Sequence, residues 1–294
     1  MKTIDYNDWI PFGKGGQAKT YKSKEDDSVI LRIVLNASME AVENEFNQCR
    51  HVASLGINTP AVYELVTDGK HYGYTGQLIK GKKSLCRIIA DNPERTEEIA
   101  ELMAQRAYEL HSTECDTEHF GSMKERTYNA LQNNKYISAR VRDNALKLLD
   151  EIPDTTTCLL GDFHFGNIIT TKDEQFWIDL GEFSYGNPVI DFARFMMSFY
   201  LPNIAIKNLF HIDRAQLIRF YNALLDSYCK LCGNAESFRQ NVEKMNTVIL
   251  TSASHMPFTI LIFTPELQKR LGVKQDSRLS LLFKLILGRK PLFE

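Results

Sequence analysis

Three side chains that carry oxygen atoms, Asp162, Asn167 and Asp179, follow one another at a spacing that suits phosphoryl transfer. Four residues separate Asp162 from Asn167, and Asp179 comes twelve positions after Asn167, at the end of a short apolar run. Phosphoryl transfer requires one carboxylate that accepts a hydrogen bond from the acceptor hydroxyl. It also requires a second carboxylate and an amide oxygen that hold magnesium against the nucleotide phosphates. A loop followed by a strand that ends in aspartate supplies all three groups from one hairpin-like unit.

The wider segment resembles the catalytic motif of the aminoglycoside phosphotransferase and choline-kinase-like family, the small-molecule branch of the protein-kinase-like fold. The motif of that family reads His-Gly-Asp-x-His-x-x-Asn, then an apolar residue with Ile-Asp, then Gly-Asp-Pro-x-x-Asp. This chain has Leu-Gly-Asp-Phe-His-Phe-Gly-Asn at residues 160–167, Ile-Asp at 178–179, and Gly-Asn-Pro-Val-Ile-Asp at 186–191. The matching positions fall in register over about 30 residues.

The resemblance implies a role for each of the three oxygen-bearing side chains. Asp162 corresponds to the catalytic residue that orients and deprotonates the acceptor hydroxyl, and Asn167 and Asp179 correspond to the ligands of Mg²⁺. Two positions depart from the family: Leu160 replaces a histidine that mainly braces the catalytic loop, and Asn187 replaces an aspartate. Neither departure removes a metal ligand or the catalytic carboxylate, but both leave room for a pseudoenzyme.

A glycine-rich loop between two apolar runs is the first candidate for nucleotide binding. It includes Gly15, Gly16 and Gln17, and glycines allow backbone amides to approach phosphate oxygens. The loop lacks the Gly-Lys-Ser/Thr ending of a P-loop, and it does not open a helix as a dinucleotide-binding loop does. A strand–turn–strand loop over the phosphates is the kinase-like arrangement. The resemblance therefore assigns these three residues to the nucleotide.

A cation is expected on the strand that follows this loop. Residues 29–32, Val-Ile-Leu-Arg, resemble the kinase sequence Val-Ala-Ile-Lys, with Arg32 at the lysine position. Arginine keeps the charge and presents a planar fork, so Arg32 is predicted to hold an α- or β-phosphate oxygen together with a carboxylate. We expect that carboxylate to be Glu45 on the next helix, with Glu43 as the alternative. A solvent-facing arginine on an edge strand is the other interpretation of Arg32.

The segment at residues 74–81 resembles the strand that enters the interlobe hinge of the family. There the base of the nucleotide would form hydrogen bonds with main-chain groups near Gln77 to Ile79. Main-chain contacts leave little signature in a sequence. ATP and GTP therefore both stay open as the phosphoryl donor.

The elements that must position these residues change in character along the chain. Up to about residue 80 the pattern predicts strands at 29–35, 61–66 and 72–79, with one helix at 39–55 that Ser38 caps. Beyond Gly81 it predicts mainly helices, at 97–111, within 128–152, and at 191–200, 214–232 and 235–250. A strand-rich piece before a helix-rich piece indicates an α+β protein with two packed subdomains. We expect residues 1–80 to form the nucleotide-binding lobe of a two-lobed protein-kinase-like fold. Residues 81–294 would form a helical lobe with the catalytic loop and the acceptor pocket.

Composition and charge exclude several classes of protein. Of the 294 residues, 44% are hydrophobic and 24% are charged, which is typical of globular proteins rather than disordered ones. The net charge of −2 offers no basic field, so nucleic acid is not an expected partner. No apolar run reaches the length of a membrane span, and the first residues lack the apolar core of a signal peptide. A cytoplasmic protein is therefore predicted.

The cysteines and the C-terminal segment add two further expectations. Among six cysteines only Cys229 and Cys232 form a C-x-x-C pair, and no second pair completes a zinc site, so reduced thiols are predicted. The apolar segment at 279–287 has basic neighbours. It is either a membrane-surface helix or, as we favour, a segment that docks on its own domain.

The short segment between Asp179 and Asp191 bears on the acceptor. It spans twelve positions, with glycines and a proline that favour tight turns, and leaves no room for the peptide platform of a protein kinase. The predicted function is therefore transfer of the γ-phosphoryl group of ATP or GTP to a hydroxyl of a small molecule, with Mg²⁺ as cofactor. A nucleotide-binding pseudokinase and an atypical Ser/Thr protein kinase are the alternatives. The identity of the acceptor and the oligomeric state are not readable from the sequence.

Overall fold

The computed structural model describes residues 1–14 and 18–253. The strands, in chain order, are β1 (Lys2–Thr3), β2 (Trp9–Lys14), β3 (Ala18–Ser23), β4 (Val29–Val34), β5 (Val62–Thr67), β6 (Tyr72–Gln77), β7 (Lys83–Ser84), β8 (Cys158–Leu159), β9 (Ile168–Thr170), β10 (Gln175–Trp177) and β11 (Ser184–Tyr185). The helices are α1 (Met39–Ser54), α2 (Leu85–Asp91), α3 (Thr96–His111), α4 (Met123–Gln132), α5 (Ala139–Asp150), α6 (Val189–Met196), α7 (Asn203–Phe210), α8 (Arg214–Cys232) and α9 (Ala235–Ala253). Gly15, Gly16 and Gln17, and the apolar segment at 279–287, lie outside the described residues.

The chain divides into two compact units. The first combines Met1–Ile88 with His164–Glu182, and the second combines Ile89–Phe163 with the chain from Phe183 onward. The first unit thus includes the β9–β10 hairpin, which comes from the part of the chain that follows residue 80. The functional division into residues 1–80 and 81–294 stays a prediction. The predicted α+β class, with an N-terminal antiparallel sheet and a helical C-terminal part, is confirmed.

The first unit is built on a six-stranded sheet. Its order is β1-β5-β6-β4-β3-β2, and all neighbours are antiparallel except β1, which runs parallel to β5. The inward side chains of β4, Leu31 and Ile33, are buried with Val66 of β5. Successive side chains of a strand point to opposite faces of the sheet. Arg32, between Leu31 and Ile33, therefore belongs to the opposite face.

Helix α1 packs on one face of this sheet. The Ser38 hydroxyl accepts a hydrogen bond from the amide of Ala41 at 3.2 Å and so caps the first turn. Val42, Phe46 and Val52 are the buried residues of the helix, which contacts β5 and β6. Just beyond the helix, Gly56 has a φ of +80°, a left-handed conformation that suits the residue after a helix end.

A small second sheet completes the first unit. β9 pairs with β10 on one side and with β7 on the other, both antiparallel. Ile79, Ile169 and Phe176 form its buried cluster, with the partly buried Ile178 packed against them. The hairpin that carries the segment between Asn167 and Asp179 is therefore anchored by an apolar core.

The second unit is mainly helical. α3 packs along α8, and α9 packs on α5 and α6. Asp213 caps α8 by accepting a hydrogen bond from the Gln216 amide at 2.8 Å, and Gly233, with a φ of +72°, ends it. The short β8–β11 ladder lies within the same unit.

Two structural features relate to the expectations about cysteines and membrane spans. All six cysteines are free thiols. Within residues 1–14 and 18–253, no helix is long and apolar enough to cross a membrane.

Gly73 on β6 leads to a prediction about the sheet that carries Arg32. A Cβ atom at Gly73 would lie 2.0 Å from the main-chain oxygen of Arg32, so Gly73→Ala must push β6 away from β4. We expect this substitution to destabilise the protein by about 1–3 kcal/mol. Gly181→Ala is the matched control, because nothing lies within 4 Å of its added Cβ, and it should change stability by less than about 0.5 kcal/mol. Urea unfolding measures both, and equal midpoints would contradict the prediction.

Candidate active site

The main chain that leads into Asp162 is held by a buried carboxylate. Asp191, on α6, accepts hydrogen bonds from the amide of Leu160 at 2.8 Å and from the amide of Gly161 at 2.9 Å. The side chain of Asp191 has no exposed surface. Two hydrogen bonds from consecutive amides to one buried side chain fix the main chain at the start of the loop that contains Asp162. Asp191 therefore braces this loop.

His111 at the end of α3 completes the surroundings of Asp191. Its Nε2 lies 3.1 Å from an Asp191 carboxylate oxygen, and its Nδ1 lies 3.0 Å from the hydroxyl of Tyr228 on α8. The imidazole is buried among the rings of Phe163, Phe192 and Tyr228. Both ring nitrogens thus have polar partners in an otherwise aromatic interior. His111 therefore links α3, α6 and α8 and has a structural role.

Asp162 itself is half-buried and belongs to the second unit. It follows Gly161, whose φ of +80° is a left-handed conformation that favours glycine. The carbonyl of Gly161 accepts a hydrogen bond from the Arg194 guanidinium. Both main-chain polar groups of Gly161 are therefore engaged, and the residue before Asp162 has a defined orientation.

The two departures from the family motif leave this bracing intact. Leu160, in place of the motif's first histidine, is completely buried, and its main-chain amide rather than its side chain holds Asp191. Asn187, in place of an aspartate, accepts a hydrogen bond from the amide of Val189 at 3.2 Å. Its own amide group donates to the carbonyl of Pro153, also at 3.2 Å. An asparagine at this position therefore still serves the N-terminus of α6.

Asn167 lies in the first unit, in a short 3-10 turn formed by Phe165–Asn167. The turn is capped by His164, whose Nδ1 accepts from the Gly166 amide at 3.0 Å and whose carbonyl accepts from the Asn167 amide at 2.9 Å. These contacts give His164 a structural role. Asn167 is 6% exposed, so its side chain amide has little orientational freedom.

Asp179 is adjacent to Asn167 through the main chain of the hairpin. The amide of Ile178 donates to the carbonyl of Asn167 at 3.0 Å. Asp179 is exposed and has a φ of +58°, a left-handed conformation that costs energy for a residue with a side chain. Strained backbone of this kind clusters at functional sites. The carbonyl of the next residue, Leu180, accepts a hydrogen bond from Gln48 on α1, so the helix supports the strained turn.

These residues fit a divalent cation that arrives with a nucleotide. Asn167 and Asp179 offer an amide oxygen and a carboxylate, the hard oxygen ligands that Mg²⁺ prefers. Over the described ranges, 1–14 and 18–253, no group of three or more His, Cys, Asp or Glu side chains could hold a metal by itself. Mg²⁺ in phosphoryl-transfer sites is commonly bound by one or two protein groups together with phosphate oxygens. The donor set thus suits a nucleotide-bound ion.

Arg32 and Glu45 are brought together in the first unit. Nε of Arg32 lies 3.3 Å from Oε1 of Glu45, and each side chain is about one-third exposed, at 37% and 35%. Of the two candidate carboxylates, the structure pairs Arg32 with Glu45 and not with Glu43. The same Glu45 oxygen accepts a hydrogen bond from the hydroxyl of Tyr74 at 2.7 Å. The role of the pair in nucleotide binding stays a prediction.

The predicted hinge is partly engaged by contacts within the first unit. The amide of Gln77 donates to the carbonyl of Ala61, and the amide of Leu78 donates to the carbonyl of Ser28, each at 2.7 Å. The side chain oxygen of Gln77 accepts from the amide of Ala61 at 3.2 Å. Ile79 is buried. A nucleotide base would therefore need main-chain groups of this segment other than the amides of Gln77 and Leu78.

The predicted site residues are thus distributed between the two units. The first unit contains Arg32 paired with Glu45, the segment from Gln77 to Ile79, and Asn167 adjacent to Asp179; the second contains Asp162. Sequence reasoning missed the contacts of Tyr74 and Gln48. It had no signal for either, because both residue types are common in strands and helices.

The chain matches a known protein family in sequence and several solved structures in fold. Residues 8–237 match the model of the family described as Phosphotransferase enzyme family. No curated protein matches the sequence significantly. Among solved structures, the chain is similar to the ADP-bound aminoglycoside phosphotransferase APH(2'')-Ib, with 16% identity, a TM-score of 0.58, and coverage of 95% of this chain and 90% of that one.

Two further structures are similar. The streptomycin–ATP complex of APH(2'')-IIa has 17% identity, a TM-score of 0.55, and coverage of 84% of each chain. Amicoumacin kinase hAmiN, in complex with AMP-PNP, Ca²⁺ and Ami, has 13% identity, a TM-score of 0.51, and coverage of 100% of this chain and 92% of that one. Identities this low speak for the fold alone. The predicted protein-kinase-like fold is confirmed.

The contacts of Asp191 lead to a prediction about stability. Asp191→Ala would leave the amides of Leu160 and Gly161 and one nitrogen of His111 without their buried acceptor. Because such groups lose water on burial, we expect a loss of about 3–5 kcal/mol. Asp154→Ala, at a side chain that is 84% exposed, is the control and should cost less than about 1 kcal/mol. Urea unfolding followed by circular dichroism compares them, and similar losses for both variants would refute the bracing role of Asp191.

Proposed function

The chain belongs to the phosphotransferase enzyme family, and from this membership we propose that it moves the γ-phosphoryl group of ATP or GTP to a hydroxyl of a small molecule. The observation that carries the proposal lies in the first unit. The hydrogen bond from Ile178 to Asn167 makes Asn167 and Asp179 neighbours, and α1 supports both the turn after Asp179 and Arg32. A cation and two oxygen ligands that share one support are the groups a metal-bound triphosphate requires.

Each residue has a distinct task in the proposed reaction. Asp162 accepts a hydrogen bond from the acceptor hydroxyl and takes its proton as the oxygen forms a bond to the γ-phosphorus. The bond between that phosphorus and the bridging oxygen breaks, and the nucleoside diphosphate leaves with the electron pair. Arg32, positioned by Glu45, holds a phosphate oxygen. Asn167 and Asp179 would hold Mg²⁺, which when bound neutralises the charge of the phosphates.

The donor is proposed to be a nucleoside triphosphate. Relatives of similar fold are described with ADP, with ATP, and with AMP-PNP together with Ca²⁺, which supports an adenine nucleotide and a divalent cation. GTP is retained as a second donor because hinge contacts to a base use main-chain groups. Within this proposal, residues 1–80 form the nucleotide-binding lobe, and residues 81–294 carry the catalytic loop and the acceptor pocket.

The acceptor is proposed to be a small hydroxylated molecule rather than a peptide. The chain passes from Asp179 to Asp191 through a 3-10 turn at Leu180–Glu182 and the short strand β11. No peptide platform of the protein-kinase type fits into that segment. Relatives of similar fold are named for aminoglycosides and for amicoumacin, so these compounds belong in an acceptor screen beside sugars and simple alcohols.

The alternative of a nucleotide-binding pseudokinase rests on Leu160, Asn187 and Arg32. In each case the local contacts argue for an active enzyme. Leu160 contributes its main-chain amide to Asp191, Asn187 serves the N-terminus of α6, and Arg32 has its carboxylate partner. Phosphorylated acceptor, detected by mass spectrometry after incubation with Mg-ATP or Mg-GTP and the acceptor panel, would decide between the two functions.

The first prediction from this proposal concerns Asp162. Asp162→Asn keeps the shape of the side chain but removes the proton acceptor, so turnover should fall by about 10²–10⁴-fold. The Kd of the magnesium nucleotide, measured by calorimetry, should stay within about twofold, because Asp162 contacts the acceptor and not the phosphates. Asp154→Asn, at an exposed aspartate, is the matched control. Unchanged turnover of Asp162→Asn with its best acceptor would exclude Asp162 as the base.

The second prediction concerns Asp179. Asp179→Ala removes a carboxylate ligand, so magnesium-dependent nucleotide binding should weaken by at least about 10-fold, because even the loss of an outer-shell partner of a metal site costs about 10–100-fold. Nucleotide binding measured in EDTA should change little, because EDTA removes the metal ion and Asp179 then has no ion to hold. Asp173→Ala, at an exposed position of the β9–β10 turn, is the control and should behave like the unaltered enzyme. The same loss with and without magnesium would argue against Asp179 as a metal ligand.

A further inference from the structure

Tyr74 occupies a position from which it can control the Arg32–Glu45 pair. It is the direct cross-strand partner of Arg32 in the β4–β6 ladder, so the two side chains leave the same face of the sheet. α1 packs against β6 and carries Glu45. The ring of Tyr74 lies against the buried Phe46, with 6.0 Å between the ring centroids. Tyrosine, arginine and glutamate thus meet between one face of the sheet and one helix.

The two contacts of the Glu45 carboxylate differ in length and in hydrogen-bond geometry. The hydroxyl of Tyr74 donates to Oε1 of Glu45 at 2.7 Å, the length of a good O–H···O⁻ hydrogen bond. Nε of Arg32 lies 3.3 Å from the same oxygen and, among the residues the structure describes, has no acceptor in hydrogen-bond geometry. The directional bond to Glu45 therefore comes from Tyr74, and the contribution of Arg32 is mainly charge attraction.

The ionisation state of Tyr74 supports a donor role. Burial and the neighbouring negative charge of Glu45 raise the pKa of Tyr74 well above its ordinary value. The hydroxyl is then protonated across the pH range in which a phosphotransferase is assayed. Cys49 lies one turn further along α1 from Glu45. Burial and the charge of Glu45 raise the pKa of its thiol to about 11, so this neighbour of Glu45 is also uncharged.

We infer that Tyr74 is a positioning residue for nucleotide binding, which acts through Glu45 to orient the guanidinium of Arg32. This inference rests on the proposed role of Arg32 as a phosphate ligand. Glutamate has several rotatable bonds, and without a directional partner its carboxylate would sample other rotamers. With Tyr74 in place, the carboxylate stays opposite Nε of Arg32.

The geometry leaves part of the Arg32 guanidinium available for a second partner. The contact with Glu45 runs through Nε, and over the described residues Arg32 forms an ion pair with no other carboxylate. Four further N–H donors on the terminal nitrogens are left for phosphate oxygens. A lysine would present its three N–H donors on one nitrogen, whereas arginine separates the two contacts on different nitrogens. Arg32, Glu45 and Tyr74 thus act as one unit.

The experiment compares Tyr74→Phe with Tyr72→Phe. Both variants lose one hydroxyl on β6, and position 72 is two residues away on the same face of the strand, opposite Val34. The Kd values of Mg-ATP and Mg-GTP are measured by calorimetry on the full chain. Tyr74→Phe is expected to weaken binding of the nucleotide that the protein uses about three- to tenfold, the effect of one lost hydrogen bond. Tyr72→Phe should stay within twofold, and equal Kd values for all three proteins would overturn the inference.

A double-mutant cycle separates positioning from a structural effect. In an Arg32→Ala background, Tyr74→Phe should cause no further loss of affinity, because its effect passes through the guanidinium. Loss by the same factor in both backgrounds would mean that Tyr74 supports the fold and would overturn the inference. Glu45→Gln, which keeps an oxygen for Tyr74 but loses the charge, provides a second test and should also be silent once Arg32 is absent.

The cycle also distinguishes this inference from the proposed function. If Arg32→Ala and Asp179→Ala both leave nucleotide binding unchanged, the proposed site is wrong and the inference falls with it. If they weaken binding while Tyr74→Phe does not, the proposed function stands and the inference alone is overturned. If all three weaken binding and the Tyr74 effect disappears without Arg32, both are supported.

Discussion

A carboxylate that is buried away from water must be satisfied by the protein, and Asp191 is the group on which the second unit depends. Its carboxylate oxygens accept hydrogen bonds from two consecutive main-chain amides of the loop before Asp162. One of these oxygens also lies within hydrogen-bond distance of a ring nitrogen of His111. Without these partners, a carboxylate with no exposed surface would be left uncompensated, at a cost of about 3–5 kcal/mol. The helix that carries Asp191, the loop that precedes Asp162, and the end of α3 therefore cannot shift independently. Asp191 thereby defines the position of the main chain that leads into Asp162.

In the first unit the corresponding support is a helix. Glu45 and Gln48 are three residues apart in α1 and so project from the same side of it. Glu45 faces Arg32 and Tyr74, and Gln48 donates to the carbonyl that follows Asp179. Helix α1 therefore supports both Arg32, the predicted phosphate ligand, and the strained turn at Asp179, the predicted metal ligand. The cap at Ser38 fixes the start of the helix, which in turn fixes the register of both contacts.

Much of the fold was predictable because local signals are strong where apolar periodicity and capping agree. The predicted helices at 39–55 and 214–232 correspond to α1 and α8, and the strand at 29–35 corresponds to β4. The predicted helix at 191–200 is divided, since α6 ends at Met196 and a 3-10 turn follows. α7 was not predicted, and two of its apolar residues, Ile204 and Leu209, are exposed, so it lacks a clear amphipathic pattern. The parallel pairing of β1 with β5 joins segments that are far apart in the chain, so no local sequence pattern indicates it.

For the candidate site, the limit of prediction follows from how each residue is held. Asp162, Asn167 and Asp179 are tied to a motif with a short, regular spacing, so sequence alone proposes them. The groups that hold them come from distant segments, as Asp191 does for the loop and Gln48 does for the turn after Asp179. Where the main chain does the holding, as the amide of Leu160 does for Asp191, the contact itself does not depend on the side-chain type. Where a side chain does the holding, its partners must match it: Glu45 lies beside Arg32 and itself accepts a hydrogen bond from the hydroxyl of Tyr74.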